Sequence, residues 1–160
     1  MNLFKTKVER YKNIDNYDMV KVFFINDNNE LLLFRDKSKM EFWHLWFTYI
    51  KKNEISESVI LHRIFEELKM VVKKEALKEL RREKVTEDNN FCNVYFYYIK
   101  VDLNQKEILK NDLLEIKWFK IDELLKLAQY KNNKIEFNKN TVYLLKEIRK
   151  ISNNYNKNFI

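Results

Sequence analysis

Apolar and polar positions change rhythm several times along this chain, and each rhythm predicts an element. Met19–Ile25 (MVKVFFI) is rich in β-branched and aromatic residues and reads as a strand. The cluster Asn26-Asp27-Asn28-Asn29 then turns the chain, and Glu30–Arg35 (ELLLFR) reads as the return strand of a hairpin-like pair. Phe42–Ile50 is a third extended apolar run, and Lys51–Glu54 follows as a polar loop.

The period then becomes helical. Ser56 suits an N-cap and Glu57 suits the first turn, where the helix dipole favours negative charge. At 100° per residue over Ser58–Met70, Ile60, Leu61, Ile64, Phe65 and Leu68 share one side. His62, Arg63, Glu66 and Glu67 share the other, with Val59 and Met70 among them, so that side is expected to be partly covered. Periodicity leaves Glu75–Arg82 open between helix and strand. Phe91–Leu103 and the short Ile116–Phe119 read as strands, and about Asp122–Gln129 as a helix. Thr141–Ser152 carries Val142, Leu145, Ile148 and Ile151 at helical spacing, and Asn153–Ile160 reads as a frayed tail. Strands alternating with helices predict a mixed sheet covered by helices.

Composition narrows the function classes. A length of 160 residues fits one domain, with its core at about 19–152. Hydrophobic residues at 46% and charged residues at 34% exclude a disordered chain. No stretch approaches the roughly 18 apolar residues of a membrane span, so no membrane partner is expected. Met1–Asp18 is too charged for a secretory signal, and the expected location is the cytoplasm. Cys92 is the one cysteine, which excludes an internal disulfide. With Gly 0, the P-loop and dinucleotide fingerprints are impossible, and one Cys with His44 and His62 gives no zinc spacing. Turns must use Asn and Asp instead. The net charge of +7 favours anionic partners, nucleotides or RNA, although the basic residues are interleaved with acidic ones as on a solvated surface.

The chemistry concentrates in Trp43–Met70. Glu66 and Glu67 are adjacent on a helix and repel unless something binds them; a divalent cation does so, and so does plain solvation of an exposed face. The wider spacing resembles the signature of the Nudix family, G-x5-E-x7-R-E-U-x-E-E-x-G-U with U apolar, over about Thr48–Met70. Trp43, Leu45, Ile50 and Glu54 match the family context without a gap. Ile64 takes the inner apolar position, Glu66 and Glu67 the last two acidic ones, and Met70 the last apolar one. Thr48, Asn53 and Lys69 stand where the motif has glycine. His62 replaces its arginine, and Arg63 replaces the first glutamate of its helix. Downstream, Trp118-Phe119-Lys120-Ile121-Asp122-Glu123-Leu124 resembles a second family segment.

The resemblance implies a Nudix-type α/β/α sandwich with a mixed β-sheet. It implies metal-dependent hydrolysis of a nucleoside-diphosphate derivative, with Glu66 and Glu67 holding Mg²⁺ or Mn²⁺, which lowers the pKa of bound water. Glu54 orients the loop and helix, and Asp112 or Glu115 supplies an extra metal ligand or the base. Trp46 and Phe47 either stack on a base or pack in the core, and Arg63 either contacts substrate or pairs with Glu66 or Glu67 in place of the metal. Arg63 also supports the alternative of a non-catalytic Nudix-fold module that binds a nucleotide or RNA. Homodimers are common in the family.

Overall fold

The computed structural model describes residues 16–38, 42–87, 90–101, 114–130 and 133–157. In chain order these form β1 (Tyr17–Ile25), β2 (Glu30–Asp36), β3 (Trp46–Lys51), α1 (Glu57–Leu68), β4 (Leu77–Glu87), β5 (Asn90–Lys100), β6 (Leu114–Lys120), α2 (Ile121–Leu127) and α3 (Lys139–Lys157). Single 3₁₀ turns, Lys52–Glu54 and Lys74–Ala76, precede α1 and β4.

The six strands form one mixed sheet in the order β4-β5-β1-β2-β6, with β3 attached to β1. β1 runs parallel to β5 and antiparallel to β3 from Tyr17 to Val22, then meets β2 at Ile25 opposite Leu31. Its residues alternate between two cores, as a strand with both faces covered requires. On one face Val20, Val22 and Phe24 pack with Trp46 and Ile50 against Ile60, Ile64 and Leu68 of α1. On the other, Phe23 and Ile25 join Leu31 and Leu33 under Leu124 and Leu125 of α2 and Leu144, Leu145 and Ile148 of α3. Each fully buried aliphatic side chain contributes about 1.5–3 kcal/mol. The result is an α/β/α sandwich. No helix among the described residues is long and apolar enough to cross a membrane.

Turns that other chains build on glycine are built here on Asn and Lys. Asn29 closes the β1–β2 turn at φ 55. Asn26, fully buried, braces that turn by accepting from the backbone N–H of Asn28 (2.9 Å) and Glu30 (3.1 Å). Helix α1 begins at the expected cap, where Ser56 accepts from Val59 N–H at 3.2 Å. It ends at Lys69, left-handed at φ 53, whose N–H reaches Phe65 O at 2.9 Å. Val59 is half-buried and Met70 buried, which explains two apolar residues on the polar side of the helix.

Several boundaries differ from those expected. The ambiguous Glu75–Arg82 is strand from Leu77 onward, because β4 pairs with β5 along its length, with an irregularity between Glu79 and Arg81. Phe42–Ile50 is not one strand: Trp43 and His44 form isolated bridges to Ile135 and Phe34, and β3 starts at Trp46. The loop expected at Lys51–Glu54 is the end of β3 followed by a 3₁₀ turn. The tail expected to fray from Asn153 stays helical to Lys157. Contacts at its start hold it: Asn29 Oδ1 accepts from Ser152 Oγ (2.6 Å), and Asn29 Nδ2 donates to Asn153 Oδ1 (3.3 Å).

Candidate ligand site

Strand β3 carries the first half of the resemblance, and its alternation sends neighbouring residues to opposite faces of the sheet. Trp46, Thr48 and Ile50 are buried, with Trp46 and Ile50 packed toward α1. Phe47 and Tyr49 face the other way and line a pocket.

On the α1 side lie the acidic residues. Glu66 is exposed, and its carboxylate meets Nε2 of the His62 imidazole one turn earlier. Glu67 is half-buried and accepts from Trp46 Nε1 at 2.8 Å. Arg63 is half-buried on the same helix, and Glu54 is exposed at the end of the 3₁₀ turn. The motif position Lys69 adopts the left-handed backbone that glycine would take, so the helix ends as the spacing requires although the residue differs. Asn53 lies inside the 3₁₀ turn and is not left-handed. The Thr48 hydroxyl is buried without a hydrogen-bond partner among the described residues.

The expectation that Glu115 joins Glu66 and Glu67 is corrected. Glu115 lies opposite Arg35 in the β2–β6 ladder, and Arg35 Nε donates to its Oε2 at 2.7 Å. The Arg35 guanidinium also stacks 4.4 Å from the Trp43 ring centroid. Arg35 shares the strand face of Leu31 and Leu33, so this group sits on the α2–α3 side, across the sheet from α1. Asp112 lies outside the described residues. Among the described residues, no three of His, Cys, Asp and Glu gather as a cation site. The donors as arranged do not fit a divalent ion: Glu66 is engaged by the His62 ring and Glu67 by an indole, and Arg63 puts a permanent positive charge on the same helix. Trp46 is likewise corrected as a stacking residue. It is 1% exposed, packs edge-on to Phe24 at 6.2 Å, and cannot reach a ligand.

The pocket on the other face has a volume of about 210 Å³. Phe47 forms its wall, with His44 at 5.5 Å and Tyr49 at 6.1 Å between ring centroids. His44 Nδ1 sits 2.7 Å from Leu45 O, which fixes the ring plane. Lys21, Glu136 and Thr141 supply the polar lining. Burial holds the Lys21 ammonium below its ordinary pKa, against the opposing pull of Glu136, Glu83 and Cys92. Thr141 is buried in the first turn of α3, where Asn138 Oδ1 accepts from its N–H (2.8 Å) and hydroxyl (2.9 Å). Flat rings, one lysine, one carboxylate and the hydroxyls of Tyr49 and Thr141 suit a planar polar molecule bearing negative charge.

Of the pocket residues, only Phe47 is among the ligand contacts expected from the sequence; Leu45 stood out as a motif match and His44 only as an unsupported metal ligand. Lys21 had a readable signal: a lone cation inside MVKVFFI, on the face of Met19 and Phe23, must be buried or must line a cavity. Tyr49, Glu136 and Thr141 had none, because their segments meet only in the folded chain.

Solved structures of MutT and Nudix proteins are similar to this one. A MutT structure from work on Aliivibrio salmonicida and Vibrio cholerae matches with a TM-score of 0.57 at 18% identity, over 81% of this chain and 94% of that one. A MutT/nudix family protein from Enterococcus faecalis matches with a TM-score of 0.52 at 16% identity, over 74% of this chain. This chain spans about half of that protein, 51% of its length. The E. coli ORF135 protein matches with a TM-score of 0.52 at 11% identity, over 72% of this chain and 81% of that one. No family model matches the sequence, and no curated protein matches it. The fold is the Nudix fold.

Proposed function

We propose that this chain is a Nudix-fold module that binds a nucleoside-diphosphate derivative without hydrolysing it. The observation that carries this reading is the division made by β3. On one face the acidic residues of the box are engaged by His62 and Trp46 beside Arg63, while on the other a ring-lined pocket holds Lys21 and Glu136. A planar base suits the rings of Phe47 and Tyr49, and the half-buried Lys21 is a strong partner for an anionic or carbonyl oxygen. The fold adds that its neighbours in structure include MutT proteins.

A second reading, a metal-dependent pyrophosphohydrolase using Mg²⁺ or Mn²⁺, rests on the survival of Glu66 and Glu67 at box spacing and on the left-handed Lys69 that ends the helix as in the motif. It requires Glu66 and Glu67 to leave their present partners.

The two separate in one experiment. Nucleoside di- and triphosphates, nucleotide sugars and dinucleoside polyphosphates are titrated calorimetrically, and phosphate release is followed with Mg²⁺, with Mn²⁺ and with chelator. Binding that persists in chelator without release is the expected result. Metal-dependent release establishes the second reading instead. An absence of both binding and release across the panel defeats both.

A further inference from the structure

Helices α2 and α3 face each other across a second cleft, which shares no lining residue with the β3 pocket. One stripe of α2 and its following turn, Asp122, Lys126 and Gln129, lines it at i, i+4 and i+7 spacing. A stripe of α3, Val142, Lys146 and Arg149, lines it at the same spacing. Arg149 donates to Asp122 Oδ1 at 3.1 Å, which closes one end with opposite charges. With Asp122 meeting Arg149, the two stripes run antiparallel, and Lys126 and Lys146, both exposed, hold their middle positions. Among the described residues, neither ammonium has a carboxylate partner. Two helices packed only for stability would set Glu against Lys here, since like charges across a cleft repel.

The cleft is also of ligand size. Its volume is about 450 Å³, within the range of roughly 300–1,000 Å³ typical of small-molecule sites. Leu125, Ala128 and Val142 give it an apolar floor, and its charged residues are three cations and one carboxylate.

We propose that the α2–α3 cleft binds a small organic phosphate, whose phosphate bridges Lys126 and Lys146 while its apolar part rests on Leu125, Ala128 and Val142. A doubly charged phosphate turns the lysine repulsion into attraction, and a lysine ammonium presents three donors to its oxygens. The site has no lining residue in common with the pocket on β3, although Val142 follows Thr141 along α3, and it needs no chemistry at the box helix.

Phenyl phosphate is the probe, titrated into the full chain and followed by backbone amide shifts. Shifts are expected at 122–129 and 142–149, with little change at 19–21 and 47–49. The variant Lys126→Gln/Lys146→Gln is expected to bind at least tenfold more weakly. Without ligand its thermal midpoint should rise, because the repulsion is gone, so weaker binding cannot be ascribed to misfolding. Equal affinity in the variant overturns the proposal, as do shifts confined to the β3 pocket. Binding only to vesicles carrying phosphatidic acid, with no response to phenyl phosphate, also overturns it, since the ligand is then a membrane surface.

Discussion

Trp46 Nε1 donates to Glu67 Oε2 at 2.8 Å, so a residue of the core and a residue of the acidic helix hold each other in place. An indole N–H buried without an acceptor costs about 1–3 kcal/mol, and the half-buried carboxylate gains a strong donor. The glutamate that the resemblance assigns to metal binding thus also serves the stability of the sheet–helix interface.

Trp46→Phe removes the donor while keeping most of the ring. The expected loss is about 1–2 kcal/mol. Urea unfolding of Trp46→Phe, of Glu67→Gln and of the double variant measures the coupling. Additive losses would mean that the bond contributes nothing.

Arg63→Glu restores the acidic residue that the motif has on α1. The expected outcome is Mn²⁺ binding at least tenfold tighter than in the wild type, read by the broadening of amide signals around Glu66 and Glu67. An unchanged titration would show that Arg63 is not what keeps the cation away.

Lys69 and Asn29 share a left-handed backbone but not its consequences. A non-glycine residue there carries a cost of about 1 kcal/mol. Lys69→Gly should therefore raise stability by about that amount, since the residue is exposed and caps α1 through its backbone. Asn29→Gly should not, because the Asn29 side chain bonds to Ser152 and Asn153. Thermal unfolding of the pair tests the contrast, and equal shifts would contradict it.

Lys21 gives the protein a pH signature. Burial lowers its pKa in the fold, while the unfolded chain keeps the ordinary 10.5. Between the two values the unfolded state holds the extra proton, so stability rises with pH across that window. At lower pH both states are charged and the desolvation penalty is fully present. Lys21→Met should be the more stable form near neutrality, and its advantage should shrink as pH approaches 10.5. A pH-independent difference between the two would mean that Lys21 is well solvated.

Phe47 and Trp46 show how far the sequence could be read. Both stood out as large rings at the box, and alternation along a strand says that adjacent residues part company. It does not say which face holds a pocket until α2 and α3 cover one side. Ser56 and Asn29 were legible because caps and turns are local. β4 was not, because a strand at the edge of a sheet carries charges on both faces and shows no period. Asn153 was misjudged because its partner in the fold is Asn29. Glu115 looked like a ligand by position along the chain, but a strand's two-residue period puts it on the far side of the sheet.

The clamp between Asn29 and Ser152 spans 123 residues. During synthesis the β1–β2 turn leaves the ribosome long before the helix that locks it exists. The turn itself can form on the local bonds of Asn26, but the Asn29 side chain must wait for a serine yet to be made. Docking of α3 onto that turn then belongs to the late events of folding, and a nascent chain halted before Ser152 should leave the β1–β2 turn more open to proteases than the full chain does.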